Sequence, residues 1–284
     1  MKQVLLLVAA VFFTVLSNAQ DAAEKLNQAQ EAMKAQDYAK AYQLYDEAMN
    51  NIGDVQVDVS INYNIGFAAY KANNLEGAVK YFDKAIEAGT NVSKCHEYKA
   101  LAYNDKKDYN NAVASFEKAI ATSTENTDAL NYNAGIAAFR GKMNEQAVGF
   151  FGKAFEAGYK GESAIYYKAV ALKGLDKNNE YKAALEEGIA KFPGDDKISK
   201  ALAGVYVSEG NDLYKEGAAI LGEANKKVND GSLKTDQPAY AAEVGKAKVE
   251  IKKAVEILEK AKVLDASNKN VQTLLDACNT AMAM

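Results

Sequence analysis

The groups in this chain able to take part in chemistry are few: one imidazole, two thiols and a recurring set of side-chain amides. The imidazole belongs to His96. No metal-ligating set or carboxylate pair is assembled around it, so neither a metal centre nor a nucleophilic triad is expected there. No phosphate-cradling glycine loop, metal-binding cysteine pair or nucleophile elbow occurs elsewhere. Carboxylates are plentiful, yet nothing singles out two of them as an acid and base pair. Catalysis, cofactors and metals are accordingly not expected. The amides are different. Asn27, Asn64 and Asn133 recur at matching places, and Tyr98 holds the same place between the last two. A carboxamide donates and accepts at once, so it can hold a peptide unit of another chain without reading its side chain.

What defines that place is a repeat. Segments 38–48, 75–85, 109–119 and 144–154 align with one another. In each, an alanine (Ala41, Ala78, Ala112, Ala147) recurs seven residues later, and an aromatic (Tyr45, Phe82, Phe116, Phe151) stands between the two. The leading alanines are separated by 37, 34 and 35 residues. A small residue precedes each by twelve positions: Ala29, Gly66, Ala100 and Gly135. Two antiparallel helices approach closely only where side chains are small, with a large apolar group beside each crossing. A mid-helix glycine costs about 1 kcal/mol relative to alanine, so Gly66 and Gly135 need such a packing reason. The segments between paired helices turn polar, as at Asn73-Asn74, Asp105–Asp108 and Gly141-Lys142, and short polar turns make antiparallel neighbours. Gly89 and Gly158 follow the second helices, where a left-handed residue ends a helix at little cost.

A Gly or Ala, then a Tyr, then two alanines framing an aromatic, at a step near 34, resembles the tetratricopeptide repeat. The resemblance implies an all-α, right-handed α-solenoid whose first helices line a concave groove. The repeats would cover 22–55, 59–92, 93–126, 128–161 and 162–195. In family members that bind extended peptides, an Asn two residues before the crossing faces the groove and pairs with the ligand backbone. That marks Asn27, Asn64 and Asn133, with Tyr98 and Tyr167 in the same place. Lys34, Lys71 and Arg140, seven residues further along, would add charge for a carboxylate. Tyr63, Tyr70, Tyr132 and Phe139 would supply apolar contact. For the asparagines a groove-lining and a structural role both stand. For the aromatics the competing role is packing between repeats. The basic set does not reproduce the two-carboxylate clamp of chaperone-binding members, so that ligand is not expected.

Beyond Gly161 the pattern loosens. Ala169, Tyr181 and Ala184 fit a fifth unit, but the turn Asp176-Lys177-Asn178-Asn179 is longer and Gly188 falls where an aromatic is expected. Leu202, Ala203, Tyr206, Gly210, Leu221 and Ala224 suggest a sixth. Residues 196–284 read as this degenerate repeat followed by long helices at 211–228 and 237–264 and a capping helix at 268–282. The helix at 237–264 carries Ala247, Ile251, Ala254, Val255, Leu258 and Ala261 on one face. Its lysines, Lys246, Lys248, Lys252, Lys253, Lys260 and Lys262, suit an acidic partner or a membrane surface. Balanced by Glu243, Glu250, Glu256 and Glu259, they read first as a solvated face.

The chain opens with Lys2, an apolar run from Val4 to Leu16 and small residues at Ser17 and Ala19, the pattern of a signal peptide cleaved near Ala19-Gln20. Export to the periplasm or beyond is expected. The apolar run is shorter than the roughly 20 residues that cross a bilayer, and no later segment comes close, so no span is expected in the mature chain. With 38 acidic against 34 basic side chains the protein lacks the field that nucleic acid demands. Two prolines and no tryptophan, with many alanines and evenly spread Lys and Glu, favour helix. Cys95 and Cys278 lie 183 positions apart. Each repeat touches mainly its neighbours, so both read as unpaired buried thiols. The expected function is a scaffold holding a partner protein or extended peptide. The alternative is a structural protein assembling with itself through its C-terminal helices.

Overall fold

The computed structural model describes residues 20–53 and 56–283, and contains helices and no strand among the described residues. The expected signal peptide, 1–19, lies outside them. Helix α1 spans 20–34 and pairs in sequence with α2 (Tyr38–Asn50). The next pairs are α3 (Ile61–Lys71) with α4 (Leu75–Glu87) and α5 (Val92–Asp105) with α6 (Tyr109–Thr122). Then come α7 (Thr127–Arg140) with α8 (Asn144–Glu156) and α9 (Gly161–Lys173) with α10 (Asn178–Lys191). Long helices α11 (Asp196–Asn229) and α12 (Pro238–Leu264) follow, and α13 (Lys269–Ala283) is last. Five helical hairpins with small residues at their crossings have the architecture that the resemblance to tetratricopeptide repeats implies.

The first four hairpins close by one device. The middle residue of each turn, Gln36, Asn73, Lys107 or Lys142, is left-handed with φ between 59° and 60°, which stops the first helix. In three of them the next residue caps the second helix: Asp37, Asn74 and Asp108 accept from the backbone N–H of Lys40, Gly77 and Asn111. Such a cap contributes about 1 kcal/mol by satisfying an orphan donor. Gly89 and Gly158 are left-handed as expected, at φ 70° and 75°.

The crossings are as close as the glycines suggested. A Cβ on Gly66 would stand 2.7 Å from Phe82 Cδ1, and one on Gly135 2.8 Å from Phe151 Cδ1. Ala29 and Ala100 fill the same place in the other two hairpins and are fully buried. Polar ties also join successive hairpins: the buried Tyr81 hydroxyl donates to Asp46 Oδ1 at 2.7 Å, bonding α4 to α2. Burial raises the Asp46 carboxyl, and this bond together with Lys80 and Asn50 outweighs it and holds the group below its usual range.

The fifth hairpin explains its own irregularity. Its turn is one residue longer than the others, because Asn178 and Asn179 already belong to α10. At Gly188 the missing aromatic is replaced from outside: Ile198 Cδ1 and Ile165 Cγ2 would lie 3.1 and 3.3 Å from a Cβ there. Volume is conserved while its source changes.

The sixth unit is not the hairpin expected. Gly210 lies inside a 34-residue helix, so Leu202 and Leu221 share α11 and the separate helix at 211–228 does not exist. The second helix comes from α12. Ala203, Gly210, Gly217 and Ala224 recur every seven residues on α11, and Ala247, Ala254 and Ala261 do so on α12; all seven are buried. Small residues in register let two antiparallel helices close over Leu221, Ile251 and Leu258, which are buried between them. Helix α13 closes this core with Val271, Leu275, Cys278 and Ala281, presenting Gln272, Thr273, Asp276 and Asn279 to solvent. The chain divides into two compact units, the first ending at Tyr159 and the second starting at Lys160. The fifth hairpin thus groups with the C-terminal helices, where the sequence reading grouped it with the first four.

Candidate functional site

All eight candidate binding residues fall in the first unit, on its first helices. Asn27 and Asn64 are exposed, Asn133 is half-buried, and none of the three side-chain amides makes a hydrogen bond among the described residues. Asn27 borders a shallow recess with Gln30, Glu31 and Lys40. Lys71 and Arg140 are exposed two turns beyond Asn64 and Asn133, on the same helical faces. The Lys71 ammonium lies 5.6 Å from the Phe67 ring centroid, and Arg140 donates to Asn104 Oδ1 at 3.4 Å. Lys34 is bonded to Glu31 at 2.7 Å. Phe139 is half-buried.

The structure brings Tyr70 and Tyr98 together. On α3, Tyr63, Phe67 and Tyr70 follow at helical spacing and form one stripe, and Tyr98 of α5 lies against all three. Its ring centroid is 6.4, 5.3 and 5.6 Å from theirs. It also stacks on Phe82 at 5.7 Å with an interplanar angle of 12°. Burial and the neighbouring Asp105 push the Tyr70 hydroxyl up to about 12; burial, aided by Tyr98, does the same for Tyr63. These phenols are neutral donors at any physiological pH. Tyr132 packs edge-on against Phe151 and Tyr159 at 5.8 Å each. Around Tyr98 the aromatics knit the second and third hairpins, while Tyr132 packs on rings of α8 and the turn that follows it. Tyr167, in the second unit, meets Tyr166 edge-on at 5.7 Å.

Two residues that the sequence reading passed over belong here. The Tyr70 hydroxyl donates to Asp105 Oδ2 at 3.2 Å, and Asn104 accepts from Arg140. Each bond joins the C-terminal ends of successive first helices, across 35 and 36 residues. Each bond pairs unlike residues, so no residue type recurring in register marks it in the sequence.

His96 proves to be one of a set. Asn62, His96 and Asn131 each stand four residues before the crossing residue and all are buried. The Asn62 and Asn131 amides donate to Val59 O at 3.0 Å and Thr127 O at 2.7 Å. Among the described residues, Oδ1 of both and Nδ1 of His96 have no partner. Burial, then Lys99 and Lys118, hold the imidazole below its usual 6.5, with Asp83 opposing. The folded state therefore favours neutral His96. Its contribution is complete above about pH 6.5, declines as the pH falls through that value, and levels off below the depressed folded pKa, by at most ~1.4 kcal/mol per pH unit between. His96→Asn, which installs the residue of the second and fourth hairpins, is expected to fold and to remove this component. Urea titrations of both chains at pH 7.5 and 5.5 check it: an unchanged difference in stability between them contradicts it.

Cys95 and Cys278 are both buried free thiols, and burial pushes Cys95 up to about 11, which makes it a poor nucleophile. Among the described residues no group of three or more His, Cys, Asp or Glu could hold a metal ion, and no helix is long and apolar enough to cross a membrane.

No known protein-family model matches the chain. It is 28% identical over 76 residues to a Dictyostelium discoideum NADPH oxidase activator, a stretch covering 26% of this chain and 13% of that protein. Among solved structures, a tetratricopeptide repeat protein from Parabacteroides merdae aligns at 17% identity and TM-score 0.48, covering 92% of this chain and 99% of that one. The C-terminal part of a TPR repeat-containing protein from Cytophaga hutchinsonii aligns at 16% identity and TM-score 0.49, covering 94% and 92%. A TPR repeats protein from Bacteroides fragilis aligns at 22% identity and TM-score 0.38, covering 92% and 98%. The repeat assignment rests on this chain's own hairpins and crossings.

Proposed function

We propose that this chain is an exported, non-catalytic scaffold that holds a partner protein, or an extended segment of one, against the first helices of its first unit. The observation that carries the reading is the recurrence of unsatisfied amides at one register position, Asn27 and Asn64 exposed and Asn133 half-buried. Each is carried on a helix fixed by a close crossing. A rigid support lowers the ordering cost of binding. The flanking aromatics stiffen this support through the Tyr98 cluster, and Lys71 and Arg140 add positive charge at its edge.

Asn64→Ala together with Asn133→Ala is expected to leave helical circular dichroism unchanged. Losing two amide contacts of about 0.5–1.5 kcal/mol each weakens partner capture roughly 5- to 150-fold. Cross-linking in the native envelope, followed by quantification of the attached protein, measures this. Capture by the double variant equal to that by the parent chain removes the groove assignment. Self-assembly through the C-terminal helices is the less favoured reading, because the apolar seam of α11 and α12 on which it would draw is already buried within the chain.

A further inference from the structure

The polar ties between successive first helices have a register, and the second unit departs from it. In the first unit the fourth residue after one crossing bonds the fifth residue after the next. Tyr70, four after Gly66, bonds Asp105, five after Ala100; Asn104, four after Ala100, bonds Arg140, five after Gly135. On α9 and α11 the same two places hold Lys173, four after Ala169, and Ser208, five after Ala203. These two make no bond to each other among the described residues. Both instead line a recess of about 590 Å³, inside the roughly 300–1,000 Å³ range of sites that hold small ligands. The recess lies wholly within the second unit and is independent of the scaffold reading above.

Gly204 and Val205 of α11 and the Tyr181 ring give the recess a small apolar lining, and Asn178 and Asn179 bring carboxamides from the start of α10. Neither carboxamide makes a hydrogen bond among the described residues. The charges do not cancel. Glu209, the one carboxylate of the lining among the described residues, accepts from Lys182 through both oxygens, at 2.9 and 2.8 Å. Lys200 meets Asp196 at 3.3 Å with the two side chains 58% and 88% exposed, a contact worth little and readily exchanged. That leaves Lys173 in surplus. Its ammonium stands 5.4 Å from the Tyr181 ring centroid, which holds it at the recess without neutralising it. Lysines without an ion pair are common on this chain, Lys248 among them, so that property alone selects nothing. What singles out Lys173 is its place: a donor at a tie position, beside a recess whose one carboxylate is already bonded on both oxygens. The acceptors at the two ties of the first unit are the side-chain oxygens of Asp105 and Asn104.

We infer that this recess binds a ligand through a carboxylate, which supplies the acceptor that the α9–α11 tie lacks and is held by Lys173 and Lys200 with the carboxamides and the Ser208 hydroxyl. A free organic diacid and an acidic residue of another chain both present that group. The purified chain is titrated with glutarate and, separately, with an acetylated and amidated glycine peptide carrying one Asp-Glu pair. Heteronuclear NMR follows the amide resonances of Asn178, Asn179, Gly204 and Ser208. At least one of the two ligands is expected to saturate these shifts with a Kd at or below about 1 mM, and which one does so identifies the source. Lys173→Gln should weaken binding at least about tenfold, and because Lys173 is exposed it should leave the denaturant midpoint unchanged. Ser208→Asp, which installs a carboxylate where Asp105 stands in the first unit, should abolish binding. Lys248→Gln should leave it unchanged, and so should Asn64→Ala with Asn133→Ala, which keeps the result distinct from failure of the groove reading. Saturation by neither ligand overturns the proposal. So does equal binding of the uncharged diamide of glutarate, tighter binding of inorganic phosphate, or equal weakening by Lys173→Gln and Lys248→Gln.

Discussion

Phe82→Ala is expected to cost about 3–5 kcal/mol. Phe82 is fully buried, fills the crossing left open by Gly66 and stacks on Tyr98, so its removal leaves a cavity that touches two hairpins. The companion variant gives the result its meaning. Gly66→Ala places a methyl 2.7 Å from the Phe82 ring, and overpacking of this kind costs about 1–3 kcal/mol, partly offset by roughly 1 kcal/mol of helix propensity. In the Phe82→Ala background the clash is gone and only the propensity gain remains. Gly66→Ala should then stabilise, and the double-mutant cycle should show a coupling of about 1 kcal/mol or more. Denaturant midpoints of the four chains supply the test. Additive effects would mean that the glycine is not there to admit the ring. Partner capture by the first unit should be weakened by Phe82→Ala, since Tyr98 loses its stacking partner.

Gly217→Leu is expected to separate α11 from α12, at a cost of about 3 kcal/mol or more. A Cβ at this position would meet Ile251 Cγ1 at 2.6 Å and the backbone oxygen of Ala247 at 2.9 Å. A side chain can turn aside, but a helix backbone cannot without moving the helix, and the seam has small residues on either side because its spacing is fixed. Gly222→Ala, five residues along the same helix, is the control. Nothing lies within 4 Å of its Cβ direction, so replacing glycine should stabilise by about 0.5–1 kcal/mol. Amide hydrogen exchange across 211–250 reads both. Protection there should fall for Gly217→Leu and rise slightly for Gly222→Ala. Equal protection in the two variants would contradict the close-packed seam.

The extent to which each feature was legible follows the range of the forces behind it. Turns and caps depend on residues within one turn of each other, so Asn73 and Asn74, or Lys107 and Asp108, announce their hairpin in the sequence. The crossing glycines Gly66 and Gly135 were legible because the repeat presents the same packing problem several times, and the common solution stands out. The sixth unit was not legible. Ser208-Glu209-Gly210-Asn211 reads as a turn by composition, yet Gly210 is a packing residue whose partner, Leu258, is 48 positions away. The amides were found from the sequence and the Tyr70–Asp105 tie was not, because one is a residue type recurring in register and the other pairs unlike residues.

By itself the sequence determined the helices of the regular hairpins, the small-and-aromatic crossing code, the number of those hairpins and the register of Asn27, Asn64 and Asn133. These are repeated or local, and each is specified within about 40 residues. Only the tertiary structure decided that Tyr98 stacks between hairpins and that Ile165 and Ile198 stand in for an aromatic at Gly188. It alone runs α11 unbroken through Gly210 and packs that residue on Leu258. Each of these depends on how volume and charge from distant segments are shared at one place, and that sharing is settled when the helices pack.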